Sequence, residues 1–470
     1  MLINYGLILF NIFYFSTSQI IYEFSSDLDL KENMTDNEIF TALSYNDLYT
    51  YLKIGTPTKE LKVSISFQEK SLIILGSKIK SRETFNETDS RSYKKISEEI
   101  NLIKNQLFNG YISEEVIHLN NYNKNLKIQF ILGEEIYKNS YDFSDEYEPI
   151  NFSGYIGLAI NGLFRQDLPD SLPIYLYNNY KDQYNFKSAF SMIFDSSNDK
   201  NHPNKGKLIF NSYPNEYYNI SYYKEQYKSS RLQKNNDNFE DWCIALDSTY
   251  YGNTIVEENT KIIFRPEFGI IIIGNEFWKY LINNYFKEYI NQKICNVSTY
   301  DLIGDDYNYI YCSNKININE FQKINFELKD MDFNFTLDSK DLFYQFNNKY
   351  YFLVATRLYR NLYIFGSILM KKYDLYFDKY NSNFGVYNRN VIINDDDTSD
   401  GISSDSEDGT DGDENKKNKT VLIILIVVLS LLITIVLIYM VWSHINKPRI
   451  QRKNELSDDY NYVPETAKIN

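Results

Sequence analysis

The sequence predicts an all-β ectodomain of two similar lobes, followed by one C-terminal transmembrane helix. Three observations carry that prediction. Short apolar runs such as "LKVSISF", "SLIILG", "LKIQFILG", "AFSMIF", "GKLIF" and "KYDLYFD" alternate with Asn, Asp, Gly and Ser clusters between residues 40 and 390. Runs so short and so rich in β-branched residues read as strands, not helices. The chain also repeats itself. Without a gap, Val63–Ser77 ("VSISFQEKSLIILGS") lies over Lys261–Asn275 ("KIIFRPEFGIIIIGN"), and "FSGYIGLA" (152–159) resembles "LYIFGSIL" (362–369). Such a repeat implies two lobes related by a pseudo-twofold axis with a cleft between them. Finally, Val421–Trp442 carries no charge, and a helix of that length crosses a hydrocarbon layer of about 30 Å.

Taken in order, residues 1–18 read as a signal peptide, with an apolar centre from Gly6 to Phe15 and small residues Ser16 and Ser18 before Gln19. A short acidic segment, 19–44, precedes the first lobe, 45–195, and the second, 196–390. Helices are expected only at 172–180 and 275–290. Residues 391–419 are too acidic and polar to fold and form a tether. The membrane helix, 420–442, leads to a cytoplasmic tail, 443–470, whose Lys447, Arg449, Arg452 and Lys453 fit a type I orientation. Cell surface or an endolysosomal or vacuolar membrane is the expected address. In the tail, Tyr460 and Val463 make a Tyr-x-x-apolar pattern that a trafficking adaptor could read.

The secretory route gives meaning to six sequons, at Asn33, Asn86, Asn151, Asn219, Asn296 and Asn334. Of three cysteines, Cys295 and Cys312 bracket a polar loop and are the expected disulfide, leaving Cys243 as a buried thiol. The net charge of −14 argues against a nucleic-acid surface, which needs clustered cations. His118, His202 and His444 are the only histidines, too few and too scattered for a multi-His metal site. No cofactor is expected, and a monomer is.

From residue 45 to 390 the chain resembles the pepsin-like aspartic peptidases. "YLKIGTP" looks like that family's opening strand, and "FNETDSRSY" (85–93) is similar to its Phe-Asn-Pro-x-x-Ser-Ser-x-Tyr segment. "NFSGYIGLA" matches Asp-Gly-Ile-Leu-Gly-Leu with Ser153 for Asp, and "WCIALDS" (242–248) matches Trp-x-Ile-x-Leu-Asp-Ser. "YIFGSILMKKYDLYFDKYNSNFGVY" (363–387) follows the family's closing run for two dozen residues.

The resemblance implies a bilobal fold, and an aspartate from each lobe, in an Asp-Thr-Gly turn, sharing a proton and polarising a water. Neither aspartate is here. The first position is Ser66, followed by Phe67-Gln68; the second, carried over by the ungapped repeat, is Phe264, with Arg265 or Pro266 if the register slips. The family's flap Tyr falls at Ile103. Glu69 and Glu267 are the one carboxylate pair that the repeat relates.

Three readings follow. The first is a catalytically inactive pseudopeptidase that binds a polypeptide in or near the cleft, or serves as an ectodomain module. The second is an active endopeptidase working through a displaced pair, Glu69 and Glu267. The third is a sorting receptor whose tail recruits an adaptor.

Overall fold

The computed structural model describes residues 19–388 apart from 46, 80–82, 102–107, 121–124, 137–151, 161–167, 196–203, 219–226, 235–240, 303–304 and 358–362. The chain enters through β1 (Ile20–Phe24) and a helix, α1 (Asp36–Ser44). The first lobe then supplies β2 (Tyr49–Ile54), β3 (Lys59–Ser66), β4 (Ile73–Leu75), β5 (Lys94–Asn101), β6 (Phe108–His118), β7 (Asn125–Ile136) and β8 (Gly154–Gly157). After helix α2 (Leu172–Tyr184) come β9 (Ala189–Phe194), β10 (Gly206–Phe210) and β11 (Tyr227–Arg231).

The second lobe begins with β12 (Cys243–Tyr251), β13 (Thr254–Glu258), β14 (Lys261–Phe264) and β15 (Ile271–Ile273), and continues into helix α3 (Asn275–Leu281). Next are β16 (Cys295–Leu302), β17 (Asp305–Ser313), β18 (Ile324–Leu328) and β19 (Asn334–Leu337). The last strands are β20 (Phe343–Phe346), β21 (Lys349–Arg357), β22 (Tyr363–Phe365), β23 (Tyr373–Asp378) and β24 (Asn383–Asn388).

The repeat seen in the sequence is a repeat of topology. The first sheet runs β2-β3-β8-β4-β7-β6-β5, and the second contains the same path as β12-β14-β22-β15-β21-β17-β16. Strand directions agree as well: β3–β8 and β14–β22 are parallel, β4–β8 and β15–β22 antiparallel, and β4–β7 and β15–β21 parallel. Leu72–Leu75 and Ile270–Ile273 are buried at every position, so both faces of these strands are covered, which is why "SLIILG" and "GIIIIG" are unbroken apolar runs.

A third sheet, β1-β10-β9-β23-β24-β11, takes strands from both halves. Its aromatic residues form the seam. Phe377 of β23 lies 5.0 Å from Phe190, 5.1 Å from Trp242 and 5.2 Å from Phe67, measured between ring centroids. The Trp242 indole N–H donates to the Leu158 carbonyl at 2.7 Å, tying the second lobe to the first.

Two helices sit where expected, the first running on to Tyr184 and the second continuing from α3 through a π turn, Ile282–Phe286, to Asn291. Helix α1 was not foreseen. Its signal is a capping box: the Thr35 hydroxyl accepts from the Glu38 N–H, and the Glu38 carboxylate accepts from the Thr35 N–H at 2.6 Å. Phe40 of α1 stacks on Tyr309 at 4.0 Å, and Asp36 accepts from Lys349 Nζ and the Tyr351 hydroxyl, both at 2.7 Å.

The Cys295–Cys312 disulfide is present, closing the mouth of the β16–β17 hairpin, and Cys243 is a buried free thiol whose pKa burial pushes up to about 12. Among the described residues no helix is long and apolar enough to cross a membrane. The segments 1–18, 391–419, 420–442 and 443–470 lie outside the described residues, and with them Tyr460 and Val463.

Candidate functional site

Strand β3 ends at Ser66, which stands beside Gly157 in the parallel ladder. A side chain at Gly157 has no room: a Cβ there would meet the Ser71 carbonyl at 2.3 Å and the Glu69 carbonyl at 2.7 Å. The turn after β3 is therefore laid directly over a glycine, the close backbone approach that only this residue permits. In the second lobe Gly366 does the same for the turn after β14. A Cβ there would meet the Phe268 carbonyl at 2.2 Å and the Ile270 carbonyl at 2.3 Å.

Those contacts fix the register between the lobes. Glu69 corresponds to Phe268 and Ser71 to Ile270, so the counterpart of Ser66 is Arg265. This corrects the ungapped alignment, which put Phe264 in that place. The physical reason is plain: Ile270–Ile273 is four identical residues, so sliding the run by one leaves the hydrophobic pattern unchanged. The two glutamates are consequently not symmetry mates, because Glu267 corresponds to Gln68.

Phe264 belongs to the core. It is fully buried, stacks on Phe384 at 4.5 Å and meets Phe377 edge-on at 5.8 Å. The Arg265 N–H donates to the Phe365 carbonyl at 3.0 Å. Its guanidinium grips Asp241 with two bonds, 2.9 Å to Oδ1 and 2.5 Å to Oδ2, and donates to the Phe264 carbonyl at 3.2 Å. In the first lobe the Ser66 hydroxyl accepts from the N–H groups of Gln68 and Glu69, each at 3.1 Å, closing the turn locally. Phe67 leaves the turn for the seam, against Phe190 and Phe377.

The family model for eukaryotic aspartyl protease matches residues 47–388. The chain belongs to the pepsin-like aspartic peptidase family. No curated protein matches it closely enough to count as a relative. Within this pepsin-like frame the matched turns after β3 and β14 begin with a hydroxyl, Ser66, and a guanidinium, Arg265.

Among the described residues, Glu267 and Glu69 lie near each other at the junction, and Asp47 lies near Tyr45. Glu267 is only 4% exposed and reaches across from its own lobe: its Oε1 accepts from the Phe67 N–H and, at 3.4 Å, from the Ser66 hydroxyl. Its Oε2 is buried with no hydrogen-bond partner among the described residues. Burial raises the Glu267 pKa, and the nearby Arg265 charge opposes that rise. Glu69 is half-buried; desolvation, with repulsion from Glu267 added, pushes its carboxyl up to about 7.

Tyr45 pairs with Phe268 in an isolated antiparallel bridge, and its ring meets Phe268 edge-on at 6.4 Å. From there it lies within electrostatic reach of Asp47, Glu267, Tyr155 and Glu69. Burial pushes Asp47 up to about 6 against the pull of Lys62 and a hydrogen bond from the Tyr45 hydroxyl. The Tyr155 hydroxyl is pushed up to about 12 by burial, with Asp47 and Glu69 adding to it.

Other predicted residues fall elsewhere. Ile103 lies outside the described residues, as do Asn151, Asn219, His202 and His444. Asn33, Asn296 and Asn334 are exposed, while the half-buried Asn86 caps a 3₁₀ turn by accepting from Thr88. His118 bonds Thr58 and the Gly55 carbonyl, a structural role far in sequence from the junction. Among the described residues no group of three potential ligands could hold a metal. Sequence reasoning missed Tyr45, Asp47, Tyr155 and Asp241, which gather only through the fold.

Proposed function

We propose that this chain is a membrane-anchored pseudopeptidase, a pepsin-like ectodomain that binds a polypeptide between its lobes without cutting it. One observation supports the reading: the two matched turns, where the family resemblance expects aspartates, begin with Ser66 and Arg265, and Arg265 is committed to Asp241. A hydroxyl closing its own turn and a guanidinium that stays protonated cannot take a proton from a water in that position. Anchoring through 420–442 and an adaptor contact at Tyr460 and Val463 belong to the same proposal, which retains the sorting-receptor reading as its trafficking side.

A second reading has its own support. Glu69 and Glu267 lie within electrostatic reach of each other and both pKa values are raised, the behaviour of a pair that shares a proton. Full-length chain, solubilised from membranes with detergent, should leave an unfolded protein substrate intact between about pH 3 and 6, where such pairs work. Turnover that a statine-type inhibitor blocks, and that Glu69→Gln abolishes, would establish the second reading in place of the first.

A further inference from the structure

Away from the junction, an exposed tyrosine is held in a fixed place. Tyr380 is 69% exposed in the turn from β23 to β24, yet that turn is pinned on all sides. The Tyr380 N–H donates to the Ser188 hydroxyl at 3.0 Å, and Asp378 accepts from the Ser188 hydroxyl at 3.2 Å and from the Asn381 side chain at 2.6 Å. Beside them, Lys379 Nζ donates to the Ile160 carbonyl at 2.8 Å.

Facing it is Tyr177 of α2. The two rings lie 4.9 Å apart between centroids, tilted by 46°, and their hydroxyls are hydrogen-bonded to each other. Lys181, one helical turn on, sets its Nζ 4.8 Å from the Tyr177 ring centroid. The helix is itself fastened by the Tyr180 hydroxyl, which donates to the Lys127 carbonyl at 2.7 Å. Two observations thus agree: the rings are in contact, and the hydroxyls turn towards each other, which brings together the ring carbons beside them. Among the described residues the other tyrosine pairs this close, Tyr213–Tyr376 at 4.1 Å and Tyr227–Tyr387 at 4.9 Å, each include a ring only 1% exposed. Tyr177 and Tyr380 are the pair that a reagent in solvent can reach.

We propose that Tyr177 and Tyr380 form a dityrosine site, at which a peroxidase with hydrogen peroxide joins helix α2 to the β23–β24 turn. Each phenol gives up one electron and one proton, and the peroxide takes both pairs to become two waters. The two tyrosyl radicals then form one carbon–carbon bond between ring carbons next to the hydroxyls. Each of those carbons loses its hydrogen as a proton, and each phenolic oxygen regains one, so both hydroxyls are restored. A pair already in contact needs no diffusional encounter and outcompetes scattered tyrosines. The bond links residues far apart in the chain, so it restricts the unfolded state and stabilises the fold. The site is independent of the non-cleaving reading above.

The test oxidises full-length chain, solubilised with detergent, using a haem peroxidase and hydrogen peroxide, then digests the monomer fraction for mass spectrometry. The chain has 44 tyrosines, so the cross-link must be mapped and not only seen by fluorescence. The peptide joining Tyr177 to Tyr380 should be the main dityrosine product. Tyr177→Phe and Tyr380→Phe, both at accessible positions where Phe fits, should each remove it and lower the monomer's dityrosine fluorescence by about half or more. Oxidised wild type should melt about 5 °C above equally oxidised Tyr380→Phe. A monomer fraction without that peptide, or fluorescence that both variants retain, overturns the proposal. Equal melting of the two oxidised proteins overturns it as well, since the bond would then join nothing that unfolding separates.

Discussion

The turn after β3 and the turn after β14 are built on the same plan and finished with opposite chemistry. Each arches over a glycine, Gly157 or Gly366, and each is followed by a buried apolar strand. In the first, a small hydroxyl caps the turn from within, and Phe67 drops into the seam. In the second, a guanidinium is held by Asp241 beneath it, and Glu267 reaches across to the first turn. The backbone frame survives in both because packing requires it; the side chains at the ends of the two strands were free to diverge because nothing in the core depends on their being aspartates. Fold and chemistry are separable here, and the separation runs through single residues.

The comparison can be broken at its shared base. Phe377 is fully buried and touches the aromatic residues of both turns, so Phe377→Ala should cost about 3–5 kcal/mol and destabilise both lobes together. Urea unfolding followed by two probes, one per lobe, would show it; loss confined to one lobe would mean the seam is not shared.

The second turn alone is probed by Arg265→Ala, which strands Asp241 at 10% side-chain exposure and should cost about 3 kcal/mol. Replacing both partners, Arg265→Met with Asp241→Leu, should recover most of that, to within about 1 kcal/mol of wild type. A double variant as unstable as the single would show that the guanidinium does more than neutralise Asp241.

The smallest expected effect sharpens the first turn. The Glu69 carboxyl is raised from 4.5 to about 7 in the folded chain, so the fold binds its proton more tightly than the unfolded chain does. That group's contribution is therefore greatest below about pH 4.5 and is lost as pH rises toward 7. Glu69→Gln should flatten the stability profile across this window and be more stable than wild type at about pH 8 by about 1 kcal/mol. Thermal melts at a series of pH values test it, and a parallel profile for the two proteins would place Glu69 in water.

Much of this was legible beforehand, and the misses have causes. Alternation and short β-branched runs located the strands, and the closing run from Tyr363 to Tyr387 identified the frame. Cys295 and Cys312 paired as their loop suggested. The register at Arg265 was not recoverable, because a run of four isoleucines offers no landmark; only the glycine beneath the turn does. Tyr45, Asp47 and Tyr155 come from separate elements, and nothing in their local sequence marks them as neighbours of Glu267. Helix α1 is signalled by the Thr35 and Glu38 capping box, but its apolar face is too short for hydrophobic periodicity to reveal it.

The arrangement of β1 and α1 bears on what the start of the described chain contributes to the fold. Ile20–Phe24 is paired along its whole length with Phe210–Gly206, and Phe40 is wedged against the second lobe. Trimming beyond residue 20 would bare the rim of a sheet and unseat that wedge.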